Sequence, residues 1–172
     1  MDQKQVEVIC VVEWKKIKLK EISKDGRYIW DGEVPQDKEE VLVTNGDIVD
    51  TDVWIDDNDY SGLEYYSDWN QANWDQLPLS PKSDTSSDAS GWINFQTRPT
   101  TQEEKGSGLD YPSIYVCNLP DVGDDILISD GYVVKKDLWA DFEDGTVGLY
   151  YANVDYQELW WMPMPKAPKK EG

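Results

Sequence analysis

This sequence predicts an all-β fold with at most minor helix, built as two tandem copies of a small antiparallel β-meander or barrel-like module. Three observations carry that expectation. First, the chain repeats itself at a spacing of 85 residues without a gap. Glu40-Val41-Leu42-Val43-Thr44-Asn45-Gly46-Asp47 falls on Asp125-Ile126-Leu127-Ile128-Ser129-Asp130-Gly131-Tyr132, Pro35 on Pro120, Asp52 on Asp137, Trp54 on Trp139, Tyr65-Tyr66 on Tyr150-Tyr151 and Pro78 on Pro163. Second, the apolar residues come in short runs rich in Val, Ile, Tyr and Trp, bounded by Gly, Pro, Asn or Asp, which is the pattern of strands. Third, each copy sets an Asx-Gly pair between two such runs, Asn45-Gly46 and Asp130-Gly131. Those pairs accept the φ > 0 conformations of a two-residue type I′ turn.

Strands are expected at residues 6–12, 40–44, 47–55, 113–117, 125–129 and 132–140. Residues 17–22 read either as a strand with Lys on its outer face or as a short helical turn. Residues 81–91 are polar and rich in Ser and Asp, so the expected organisation is a first module at 1–82, a linker at 83–90 and a second module at 91–172. Paired aliphatic and aromatic positions, Leu42 with Leu127, Val49 with Val134 and Trp54 with Trp139, are expected inside. With 172 residues in two units, each core is near the lower limit for independent stability, and nine Trp and ten Tyr supply the large side chains it needs. Tyr60, Trp69 and Trp74 sit in polar surroundings and do not all recur in the second copy, so they are the aromatics expected outside a core.

Charge is the second strong signal. The chain has 35 Asp and Glu against 16 Lys and Arg, a formal net charge of −19. From Asp31 to Asp75 fourteen acids face Lys38 alone, giving −13, and from Asp121 to Glu158 ten acids face Lys135 and Lys136, giving −8. Such a chain repels nucleic acid and anionic membrane. The acids alternate with Val, Ile, Trp and Tyr, which places them on folded strands and not in a solvating tail. Cys10 and Cys117 lie in apolar runs that are not equivalent under the repeat, so buried, reduced thiols are expected. The first residues carry no basic stretch leading into an apolar one, and no window has the length of a membrane helix. A soluble protein of the host cytoplasm is the expectation.

Histidine is absent, which removes Ser-His and Cys-His nucleophilic pairs and imidazole ligands. Carboxylate pairs abound, so no pair among Asp50, Asp52, Asp56, Asp137 and Asp141 stands out as hydrolytic. No catalytic residue and no cofactor is assigned. Asp57, Asp59, Ser61, Gly62 and Asp68 fit part of a calcium-loop pattern. The last ligand position holds Asp in place of Glu, the preceding run reads as strand, and residues 142–153 do not preserve the pattern. An acidic hairpin turn is the competing reading, and no metal site is assigned.

Gly91-Trp92-Ile93, Ile126-Leu127-Ile128-Ser129-Asp130-Gly131 and the closing Trp160-Trp161-Met162-Pro163-Met164-Pro165-Lys166-Ala167-Pro168 resemble a small-protein family of unknown function common in phages and prophages. Its members start with Trp-Ile, carry Val-Leu-Val-x-Asp-Gly and end in His-Trp-Met-Pro-Leu-Pro. The resemblance covers most of 91–168 and, more weakly, 28–81, with Trp160 where the family has His. It implies a phage-type origin and supplies no activity.

Alternate residues of a strand project from one face about 6.6 Å apart, so Asp50, Asp52 and Asp56 form one row, and Asp137 and Asp141 repeat part of it. A rigid acidic row fits a basic groove built for phosphates. The expected function is therefore a phage-type inhibitor, acting as an acidic nucleic-acid mimic on a host nucleic-acid-binding defence protein such as a CRISPR or restriction nuclease. Its expected contact residues are Asp47, Asp50, Asp52, Asp56, Asp57, Asp59, Asp137, Asp141, Glu143 and Asp144, with Tyr60 and Trp69. The competing expectation is an aromatic-lined module for a protein or proline-rich peptide, using Tyr65, Tyr66, Trp69 and Trp74. Met162-Pro163-Met164-Pro165 reads instead as a self-docking extended end that closes the module.

Overall fold

The computed structural model describes residues 12–21, 28–82, 91–108, 111–152 and 158–169. The expected strand at 6–12, apart from Val12, together with Cys10 and the linker at 83–90, lies outside the described residues. Among the described residues, no helix is long and apolar enough to cross a membrane.

Copy 1 forms β1 (Lys15–Glu21), β2 (Tyr28–Asp31), β3 (Glu40–Thr44), β4 (Val49–Asp56), β5 (Ser61–Leu63) and β6 (Gln71–Gln76), an antiparallel sheet in the order β2-β1-β6-β3-β4-β5. Of residues 17–22, 17–21 prove to belong to a strand and 22 lies outside the described residues: Ile17 is buried, while Lys16, Lys18 and Lys20 are exposed with period two. Copy 2 forms β7 (Ile93–Asn94), β8 (Thr97–Pro99), a short helix α1 (Gln102–Gly106), β9 (Ser113–Tyr115), β10 (Asp125–Ser129), β11 (Val134–Asp141), β12 (Val147–Leu149) and β13 (Trp160–Pro163). Its five-stranded sheet runs β12-β11-β10-β13-β7, and β8 with β9 makes a separate two-stranded ribbon. In both copies three strands meander, and the closing strand then returns to the free edge of the first of them.

The two Asx-Gly hairpins occur where expected, but their loops have four residues instead of two, because Thr44 pairs with Val49 and Ser129 with Val134. The Asx side chain makes the difference. Asn45 Oδ1 accepts from Asp47 N at 2.9 Å and Ile48 N at 3.1 Å, and Asp130 Oδ1 accepts from Tyr132 N and Val133 N at 2.9 Å each. Thr44 and Ser129 accept from the Gly46 and Gly131 N–H groups, and both glycines sit at positive φ, 95° and 104°. A side chain thus replaces backbone pairing as the partner of the loop amides.

The pairing registers show that the repeat is complete but not of constant spacing. Its offset is 85 through β3 and β4. Leu63 opposite Trp54 then corresponds to Leu149 opposite Trp139, an offset of 86, and Trp74 opposite Val43 corresponds to Trp161 opposite Ile128, an offset of 87. At the start, Lys15 opposite Trp74 matches Ile93 opposite Trp161, and Leu19 opposite Trp30 matches Thr97 opposite Tyr115. β7 and β8 are therefore β1 interrupted, with an offset of 78, and the segment carrying α1 makes up the difference. Equivalent contacts follow these shifts. Trp74 Nε1 donates to Glu33 O and Trp161 Nε1 to Asn118 O, while Trp30 meets Trp54 edge-on at 5.4 Å as Tyr115 meets Trp139 at 5.7 Å.

Each copy closes its own core. Ile17, Val41, Val43, Trp54, Leu63, Ala72 and Trp74 form the first; Ile126, Ile128, Trp139 and Trp161, with Phe95 stacked on Trp139, form the second. Leu42, Leu127, Trp54 and Trp139 are buried as expected, whereas Val49 is only half-buried beside buried Val134. Trp74 belongs to the core and not to an exposed surface, since its ring is buried in the first cluster and its N–H is taken up by a backbone carbonyl. The chain divides into two compact units at places other than the Ser/Asp-rich segment: residues 79–82 go with copy 2, and 164–169 go with copy 1.

Candidate binding surfaces

Asp50, Asp52, Asp56 and the pair Asp137, Asp141 do share strand faces, as their even spacing requires. That face is the one carrying Trp54 and Trp139, so it looks into the core. Asp52 is 1% exposed and Asp137 0%. Each carboxylate accepts three backbone N–H groups: Asp52 from Val53 (2.6 Å), Tyr65 and Tyr66 (3.0 Å each), and Asp137 from Leu138 (2.8 Å), Tyr151 and Ala152 (3.0 Å each). These two acids fasten the chain leaving β5 and β12 to the preceding strand, and neither can meet a partner. Asp50 is half-buried and takes the Tyr66 hydroxyl.

The exposed acids gather at the turns instead. The β4–β5 turn presents Asp56, Asp57 and Asp59, with Asp37 beside them accepting from Asp56 N at 2.9 Å. The β11–β12 turn presents Asp141, Glu143 and Asp144. Asp57 Oδ1 accepts from Asp59 N and Tyr60 N, and these backbone bonds hold its carboxyl below the usual carboxylate range. The hydroxyl and N–H of Thr146 do the same for Asp144. None of Asp56, Asp57, Asp59, Asp141, Glu143 and Asp144 sits in an ion pair among the described residues. Asp47 is exposed in the β3–β4 loop. The calcium-like run is a hairpin: Ser61 and Gly62, at would-be loop positions five and six, are strand β5.

Tyr60 is turned back on this hairpin, its hydroxyl donating to Leu63 O at 2.6 Å, and partial burial raises its pKa. Trp69 stacks on Tyr66 at 4.2 Å, packed against the first core, and Tyr65 alone projects into solvent. The four aromatics of the peptide-site reading are thus dispersed between core and surface.

A third arrangement escaped sequence reading. With the closing strands aligned at the offset of 87, Pro78-Leu79-Ser80-Pro81-Lys82 matches Pro165-Lys166-Ala167-Pro168-Lys169. Trp92, just before β7, donates its indole N–H to Leu79 O at 2.8 Å, and the equivalent Trp14, just before β1, donates to Lys166 O at 3.1 Å. The two acceptors are equivalent as well. Residues 79–82 of the first Pro-x-x-Pro-Lys tail and all of the second therefore lie in the unit built on the other copy. At +85 Pro81 falls on Lys166, so the motif was invisible at the spacing the strands suggested.

Compared with models of protein families, with curated proteins and with solved structures, the chain shows no match.

Proposed function

We propose that this chain is a non-catalytic inhibitor-type binding protein whose acidic turns occupy the basic groove of a host nucleic-acid-binding protein, in the phage setting that its family resemblance implies. The observation that carries the reading is the recurrence of three exposed acids, outside any ion pair among the described residues, on the equivalent turn of each copy: Asp56, Asp57 and Asp59, then Asp141, Glu143 and Asp144. Asx hydrogen bonds fix Asp57 and Asp144 in place, so these charges are presented by ordered turns, and little side-chain entropy remains to be lost on binding. The mimic is carried by turns and not by a strand face, because the strand-face acids Asp52 and Asp137 are consumed inside.

The test is displacement of proteins held on a double-stranded DNA column. The parent chain should elute a subset of bound host proteins at low salt and lose that ability as salt rises. Asp56→Asn, Asp57→Asn, Asp59→Asn, Asp141→Asn, Glu143→Gln and Asp144→Asn together should abolish elution without unfolding, because Asn keeps the Oδ1 acceptor of each turn. Elution that persists in this variant, or that is indifferent to salt, would overturn nucleic-acid mimicry.

A further inference from the structure

The exchanged tails point to a second kind of site, independent of the acidic turns. Proline holds φ near −65° and has no N–H, so a Pro-x-x-Pro segment offers carbonyls as acceptors and cannot extend a sheet. In an extended proline-rich segment, with three residues per turn, its two prolines share one edge. An indole N–H is a donor only, and its natural complement is such a carbonyl. Both copies meet this requirement with the same atoms, Trp92 Nε1 to Leu79 O and Trp14 Nε1 to Lys166 O.

The two seats differ in how they hold the terminal lysine. In the copy 2 unit, Lys82 N donates to Gly131 O at 2.9 Å, its ammonium pairs with Glu158, and it lies 5.1 Å from the Trp160 ring and 5.7 Å from Tyr132. The fit is close enough that a Cβ on Gly131 would come within 2.7 Å of the Lys82 side chain. In the copy 1 unit, Gln71 and Asn73 stand where Glu158 and Trp160 stand in the other, and the tail borders a groove of about 660 Å³ lined by Trp14, Gln71, Asn73, Gly46, Pro168 and Lys169.

We propose that the Trp14 seat, on which the chain's own residues 165–169 lie in cis with Pro168 and Lys169 walling the adjoining groove, is a binding site for Pro-x-x-Pro-Lys peptide segments, and that an external segment of that chemistry replaces them. The copy 2 seat, with its ion pair and ring box, retains its tail. A tethered tail competes at an effective concentration on the order of millimolar, so an external peptide gains access more readily once the tail is weakened.

The experiment uses the full chain, isotopically labelled, and a peptide with the sequence of residues 163–169. The indole resonance of Trp14 is followed, and that of Trp92 serves as the internal control for folding. In a variant with Pro165→Ala and Pro168→Ala, Trp14 should respond at a peptide concentration at least about tenfold lower than in the parent, with Trp92 unmoved. Adding Trp14→Phe to that variant, which keeps a ring but removes the donor, should weaken binding of fluorescent peptide at least about tenfold. The proposal is overturned if Trp14 does not respond in the Pro-to-Ala variant while Trp92 reports a folded chain. It is equally overturned if a peptide with both prolines replaced by Ala binds as well, or if Trp14→Phe leaves the affinity unchanged.

Discussion

Lys82 and Lys169 end the same five-residue motif, yet one is clasped by Glu158, Trp160 and Tyr132 while the other borders an open groove beside Gln71 and Asn73. Duplication supplied two identical frames, and substitution then filled one seat with charge and aromatic rings and left the other with amides. The features the copies share are those each fold cannot do without: the buried Asp after the hairpin, the core Trp two residues later, the Asx-Gly loop and the indole donor ahead of the first strand. The substitutions at the two tail seats lie outside the cores, where the two units are free to serve different ends.

The largest expected effects probe what is shared. Asp52→Ala and Asp137→Ala each leave three partly buried N–H groups without their carboxylate acceptor, which should destabilise the affected unit by about 3 kcal/mol. Urea unfolding monitored separately for the two units would measure it, and losses differing by more than about 2 kcal/mol would break the equivalence of the copies.

A smaller effect separates the entrance turns. Lys38 and Gly123 hold the same place, with Lys38 N donating to Trp54 O and Gly123 N to Trp139 O, and both have positive φ, 61° and 94°. Lys38→Gly should be neutral to stabilising by up to about 1 kcal/mol, while Gly123→Lys should cost about 1–2 kcal/mol in thermal or urea unfolding.

The least expected effect concerns a device that, among the described residues, is found in copy 2 only. Arg98 clasps Glu104 with two bonds of 2.9 and 2.7 Å, and Glu104 closes a capping box with Thr101 at the start of α1. Chiefly through Arg98, the Glu104 carboxyl is lowered to about 2. A depressed folded pKa means that the contribution is complete above the ordinary value of 4.5 and is lost as pH falls toward 2. Carboxyl carbon shifts should therefore titrate near 2 for Glu104, and in Arg98→Gln the midpoint should move up toward the ordinary value.

β3, β4, β10 and β11, the places of their hairpins and the duplication were legible because these strands contain no insertion and their period-two patterning is strong, whereas β2, β5, β6, β7, β8, β12 and β13 were not expected. The acidic row was misplaced for a physical reason. Period two tells which residues share a face, but not which face is inward. The cue was present, since Asp52 and Asp137 have the parity of Trp54 and Trp139, and a face that buries Trp must bury the Asp between its neighbours. Recurrence of Asp52 as Asp137 signalled a need of the fold, not of a partner. The tails stayed hidden because one-residue insertions before β12 and again before β13 shift the repeat to 87, and because no local pattern says that a segment belongs to the unit of the other copy.

The exchange of tails is the feature on which the comparison rests, and nuclear Overhauser contacts from the two indole N–H protons test it most directly. The Trp14 indole proton should show contacts to Lys166 and its neighbours, and the Trp92 indole proton to Leu79 and its neighbours. Contacts from Trp14 to residues 79–82 and from Trp92 to 165–169, or none to either tail, would contradict the account.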